Sequence, residues 1–93
     1  MKLGKALKLC RSARDLSLEI VAERAGISTS YLSRLENEKR EPTLAMISKV
    51  ADALDIPVPM IVFLAAEPGE LKGLDKKTEQ RFADLALDFI RQK

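Results

Sequence analysis

The sequence predicts an all-α fold of short helices, and three observations carry that expectation. Apolar residues recur at three- and four-residue intervals along most of the chain, the period of a helix that buries one face. Ser17, Ser28 and Thr43 stand where helices would start, and Gly26 and Pro57 where they would end. The hydrophobic share of 46% in 93 residues is enough for one compact domain without disulfide or metal staples.

The first helix is expected over about 2–14, with Leu3, Ala6, Leu7, Cys10 and Ala13 as its inner stripe and Lys2, Lys5, Lys8, Arg11 and Arg14 off it. Asp15 takes the turn and Leu16 returns to the core. Ser17 caps a second helix whose inner face is Val21, Ala22 and Ala25, with Glu19, Glu23 and Arg24 outside. The two alanines let another backbone come close. Gly26 supplies the left-handed residue that ends this helix, Ile27 plugs the corner, and Ser28 caps a third helix. There Leu32 and Leu35 point inward, leaving Thr29, Ser30, Ser33 and Arg34 facing out.

A polar loop over 37–42 leads to Thr43, the cap of a fourth helix over 44–54 that buries Leu44, Ile47, Val50, Ala51 and Leu54. Ile56-Pro57-Val58-Pro59 breaks the chain into extended geometry, and Pro59 opens a fifth helix over 59–66. Met60 to Ala66 is apolar all round, so it needs cover on two sides: the domain core, and most simply a second copy of the chain. Residues 67–74 read as a linker. A sixth helix begins at Asp75 or Thr78, the later start favoured because Lys76 and Lys77 oppose the helix dipole, and runs to Arg91. Its stripe is Phe82, Leu85, Ala86, Phe89 and Ile90, and packing within the chain or across a dimer are equal alternatives. The expected organisation is therefore a domain at 1–66, a linker at 67–74 and a C-terminal helical segment at 75–93.

Composition excludes most catalytic chemistries. With no His and one Cys, the chain cannot form a Cys/His zinc site, a Ser-His-Asp triad or its own disulfide, so no enzyme activity, metal or cofactor is expected. Cys10, in register with Leu3 and Leu7, reads as a small buried hydrophobe. No apolar run reaches the ~20 residues that span a bilayer, and no secretory signal follows the Met-Lys-Leu start, so a cytoplasmic chain with no membrane partner is expected. The net charge of +2 is unevenly placed. Residues 1–40 hold nine Lys/Arg against five Asp/Glu, whereas 41–93 hold seven against nine.

The third helix lies in that basic half. A DNA major groove admits one α-helix, and its base edges meet short polar side chains and Arg. The face formed by Thr29, Ser30, Ser33 and Arg34 suits that use. The alternative for Arg34 is a solvated pairing with Glu38 one turn on, and for Lys39 and Arg40 ordinary loop charge.

The chain resembles the Xre/Cro-type, lambda-repressor-like helix-turn-helix family over about residues 3–64. The likeness is carried by Leu3-Gly4-Lys5 with Arg11, by Ala22-Glu23-Arg24-Ala25-Gly26-Ile27-Ser28, and by Tyr31-Leu32-Ser33-Arg34-Leu35-Glu36-Asn37. Lys39-Arg40-Glu41-Pro42-Thr43-Leu44 and Val50-Ala51-Asp52-Ala53-Leu54-Asp55-Ile56 continue it in order. The resemblance implies a five-helix DNA-binding domain, here with an additional C-terminal helix, acting as a homodimer on double-stranded DNA. It places base contacts at Thr29, Ser30, Ser33 and Arg34, phosphate contacts at Ser17, Leu18, Tyr31, Asn37, Lys39 and Arg40, and a structural ion pair at Arg11 and Glu36. Leu18 departs from the family, which often has Gln there, and Leu9 stands where a polar residue is usual.

A dimer interface is expected at Ile61, Phe63, Leu64, Phe82, Leu85 and Phe89. Two rival readings remain: an antitoxin whose C-terminal helix captures a toxin as its protein partner, and an interaction module that no longer touches DNA.

Overall fold

The computed structural model describes residues 1–67 and 69–91, so Pro68 in the expected linker and Gln92 and Lys93 at the expected C-terminal end lie outside the described residues. The described residues form six helices and no strand: α1 Leu3–Ala13, α2 Leu18–Ala25, α3 Thr29–Glu36, α4 Leu44–Leu54, α5 Val58–Ala65 and α6 Lys76–Arg91. None of these helices is long and apolar enough to cross a membrane.

Local chemistry accounts for the starts. Ser17 Oγ accepts the Ile20 N–H at 3.1 Å, Ser28 Oγ the Tyr31 N–H at 3.0 Å and Thr43 Oγ1 the Met46 N–H at 3.1 Å. α6 begins at the earlier of its two expected starts because Asp75 Oδ1 accepts the Thr78 N–H at 2.7 Å. That hydrogen bond holds the Asp75 carboxyl below the usual carboxylate range, and the anion offsets Lys76 and Lys77 at the helix N-terminus.

One device also ends α1 to α4. A residue with positive φ follows each helix, and the next N–H reaches back to a carbonyl five residues earlier: Leu16 to Arg11, Ile27 to Ala22, Lys39 to Arg34 and Ile56 to Ala51. Gly26 adopts φ 71° without cost, whereas Asp15, Glu38 and Asp55 do so against a steric penalty. Asp tolerates this conformation through its short polar side chain. Glu38 is compensated otherwise: its Oε1 accepts the Lys5 N–H at 2.8 Å and so caps the first turn of α1.

α1 lies at the centre, packed on α3, α4, α5 and α6, while α2 packs on α3 and α4. Leu7, Cys10, Val21, Leu32, Leu35, Val50, Leu54 and Ile61 are sealed from solvent between them, with Ala6, Ala22 and Ala51 where backbones approach. Burial pushes the Cys10 thiol up to about 11 against the nearby Arg14 charge, so the group is packing material and no nucleophile at neutral pH.

Two expectations about burial are corrected. Leu44 is 72% exposed, because full burial of α4 starts one turn later at Ile47 and in the first turn Met46, not Leu44, packs against the core. Ile61, expected at a dimer interface, is completely buried in the chain's own core and has no surface to offer a second copy.

The cover that the sequence attributes to a second copy comes partly from α6. Ile90 is fully buried in the shared core, and the Phe63 and Phe82 rings meet at 6.3 Å between centroids with a 54° tilt. Arg14 locks this arrangement. Its Nε donates to Leu54 O at 3.1 Å, Nη2 to Asp55 O at 2.8 Å and Nη1 to Ile90 O at 2.9 Å. One guanidinium thus satisfies carbonyls at the C-termini of both α4 and α6, where a cation is also favoured by the helix dipoles.

Candidate nucleic-acid interface

α3 is held from behind. Leu32 and Leu35 are fully buried, and Glu36 is only 4% exposed despite its charge. A buried carboxylate needs a cation and filled hydrogen-bonding positions. Arg11 supplies both: Nε donates to Glu36 Oε2 at 2.8 Å and Nη2 to Oε1 at 3.0 Å, while Nη1 donates to Leu16 O at 3.0 Å. Bidentate contact with Glu36 holds the guanidinium above its ordinary pKa. The rotation of α3 about its own axis is thereby fixed.

The opposite face is open. Ser30 and Arg34 are exposed, and Thr29 and Ser33 are half-buried at its edges. Arg34 makes no side-chain hydrogen bond or ion pair among the described residues, and Glu38, its alternative partner, is turned to Lys5 instead. A planar five-donor fork is left free at the centre of a small uncharged surface.

The flanking residues are organised by the protein itself. Arg40 lies over the Tyr31 ring, its guanidinium carbon 5.0 Å from the centroid, which fixes a long side chain beside α3. Asn37 Nδ2 donates to Ser33 O at 2.8 Å and to Ser33 Oγ at 3.4 Å, closing the last turn of the helix. Lys39 is exposed. Ser17 uses one oxygen lone pair as a cap and keeps its hydroxyl proton for another acceptor. Leu18 packs against the core, so its backbone N–H at the first position of α2 is what remains for a ligand.

Of the residues expected at a dimer interface, Phe82, Leu85 and Phe89 are 48%, 61% and 52% exposed, and Phe63 and Leu64 are half-buried. Ile61 is excluded by its burial.

The helix-turn-helix family model matches residues 7–61, from the middle of α1 to α5, with α2 and α3 at its centre. The chain belongs to the Xre-type, lambda-repressor-like helix-turn-helix family. It is similar to the immunity repressor protein of Bacillus phage phi105, at 39% identity over 62 residues, 67% of this chain and 43% of that protein. It is similar to the HTH-type transcriptional repressor RghR of Bacillus subtilis at 38% over 63 residues, 67% of this chain and 47% of the relative. The HTH-type transcriptional regulator SinR of the same species is 29% identical over 92 residues, 98% of this chain and 83% of SinR. The chain therefore spans less than half of the first two relatives and most of the third.

Three residues that build this scaffold are given no structural role by the sequence. Gly4 is one: an added Cβ would fall onto the Leu35 carbonyl oxygen and within 2.8 Å of Glu38 Oε1, so α1 crosses the end of α3 at backbone contact. A glycine inside an otherwise helical stripe is the signal for such a crossing. Glu38 and Arg14 had no comparable signal, since their partners lie 33 and 40 to 76 residues away.

Proposed function

We propose that this protein is a cytoplasmic, sequence-specific DNA-binding transcriptional regulator that acts as a homodimer on a roughly palindromic operator. The observation that carries the reading is the open α3 face, with an unpaired Arg34 on a helix immobilised from behind by the Arg11–Glu36 pair. Thr29, Ser30, Ser33 and Arg34 enter the major groove. Ser17, Tyr31, Asn37, Lys39 and Arg40 meet phosphates, as does the Leu18 N–H at the positive end of α2. Residues 1–66 form the reading unit. Repression is the favoured direction, since the phage protein and RghR are named as repressors.

The homodimer reading is supported by the apolar stripe on α6 and by Phe63 and Leu64 beside it. Two reading helices in successive major grooves would place half-sites about 10–10.5 bp apart. Selection of bound duplexes from a random pool tests DNA binding, symmetry and spacing together. Recovery of unrelated sequences, or no retention even at low salt, would favour the interaction-module reading.

Two substitutions separate reading from holding. Arg34→Ala should relax base preference at one position of each half-site, removing roughly 1–3 kcal/mol of discrimination. An unchanged preference in the same selection would count against a base contact. Lys39→Ala with Arg40→Ala should weaken all sequences alike and, with both subunits altered, lower the slope of log affinity against log salt by nearly 4, since each of the four phosphate contacts contributes about 0.9. A preserved slope would assign those side chains to the loop alone.

A further inference from the structure

We infer that the exposed stripe of α6 is covered by the same stripe of a second copy running antiparallel to it, with Arg81 of each α6 facing Asp88 of the other. The inference rests on the homodimer proposed above and supplies what that reading leaves open, the direction in which the two helices pair.

Phe82, Leu85 and Phe89 are spaced at three and four residues, the seam of a two-helix pairing. Each is about half exposed or more, although Ile90 beside them is sealed in the core. A contiguous apolar stripe rimmed by charge marks a docking surface. The charges at its edge decide what docks. Arg81 and Asp88 are seven residues apart, so they occupy the same flank of the stripe one heptad from each other. Both are exposed, and neither makes a hydrogen bond or ion pair among the described residues, whereas Asp84 between them accepts from Gln80 Nε2 at 3.0 Å.

In a parallel pair this flank meets the opposite flank of the other copy five residues further on, which sets Arg81 against the uncharged Ala86. In an antiparallel pair like flanks meet. Arg81 then faces Asp88 and Asp88 faces Arg81, two equivalent ion pairs about one two-fold axis, as an isologous interface requires. The same register sets Phe82 against Leu85 of the other copy and Leu85 against Phe82, alternating a large ring with a smaller side chain, and lays Phe89 over Thr78.

Sedimentation velocity of the full chain over a concentration series tests the pairing, with thermal unfolding confirming that each surface variant is folded. Arg81→Asp alone and Asp88→Arg alone each set like charges face to face, and each should raise the dimer dissociation constant about tenfold or more. Mixing the two single variants should restore dimerisation, because opposite charges meet at both ends of the mixed pair. The double exchange R81D/D88R should also dimerise like the unaltered chain. Single variants as dimeric as the parent, or a mixture that stays monomeric, would overturn the antiparallel pairing. A parent chain that is monomeric both free and on duplex DNA would overturn the homodimer with it and assign the stripe to a different protein. Base selection through Arg34 would then still stand, so the two readings fail separately.

Discussion

Arg11→Ala is expected to remove about 3–5 kcal/mol of folding stability, a large part of the roughly 5–15 kcal/mol typical of a domain. The cost does not arise because an ion pair is intrinsically stabilising. Replacing both partners of a buried pair by apolar groups is often neutral, whereas removing one leaves the other stranded. Here the stranded group is Glu36, whose side chain is 3% exposed, while that of Arg11 is 16% exposed. The Leu16 carbonyl loses its Nη1 donor as well. Urea unfolding measures the loss, and the double variant R11A/E36Q should recover part of it because the amide carries no charge to strand. A single-variant loss below about 1 kcal/mol would mean that water reaches Glu36 and that the pair does not pin α3. DNA affinity should fall with the single variant even where it remains folded, since the rotation of α3 depends on the same contact.

The sequence made α3 legible because its information is local. Ser28, Leu32 and Leu35 sit within one helix and determine which face turns outward, and Gly26 marks the turn before it. α5 and α6 were less legible, since apolar periodicity states that a face is buried without naming what buries it. Ile61 illustrates this: the same apolar helix fits a second copy or the chain's own α1 and α4, and only the fold distinguishes them. Leu44 shows the complementary failure, because it keeps the period of its helix but lies one turn beyond the cover. Arg14 is the clearest case of information absent from local pattern. Its place off the inner stripe of α1 reads as a solvent-facing charge, yet all three of its hydrogen bonds go to carbonyls at the ends of α4 and α6.

Glu38 connects this scaffold to the loop proposed to meet DNA. Its backbone is held at φ 60° to end α3, its carboxylate caps α1, and Lys39 and Arg40 follow directly. A strained residue is retained where it fixes the exit of the reading helix against the start of the first helix. The stacking of Arg40 on Tyr31 then holds one of the two cations over α3. The loop is therefore preorganised, which would lower the entropy lost on the proposed contact with a phosphate backbone.

Gly4→Ala tests that crossing most directly, and two effects of opposite sign compete in it. Alanine is favoured over glycine in a helix by about 1 kcal/mol, so intrinsic propensity predicts a more stable protein. Sterics predict the reverse. The new methyl would overlap the Leu35 carbonyl oxygen and lie 2.8 Å from Glu38 Oε1, and the first of these is backbone that no rotamer change can move aside. Forcing an extra carbon into a packed contact costs about 1–3 kcal/mol, and a backbone clash belongs at the upper end, so a net loss of about 2 kcal/mol is expected. α1 must withdraw from the end of α3, taking the Lys5 N–H away from Glu38 and loosening the loop that carries Lys39 and Arg40. Affinity for duplex DNA should therefore drop more than the folded fraction does, and Lys8→Ala on the exposed side of the same helix should leave stability nearly unchanged. A rise in melting temperature for Gly4→Ala would show that the two helices do not meet at backbone contact, and the geometric basis for a fixed reading helix would be lost.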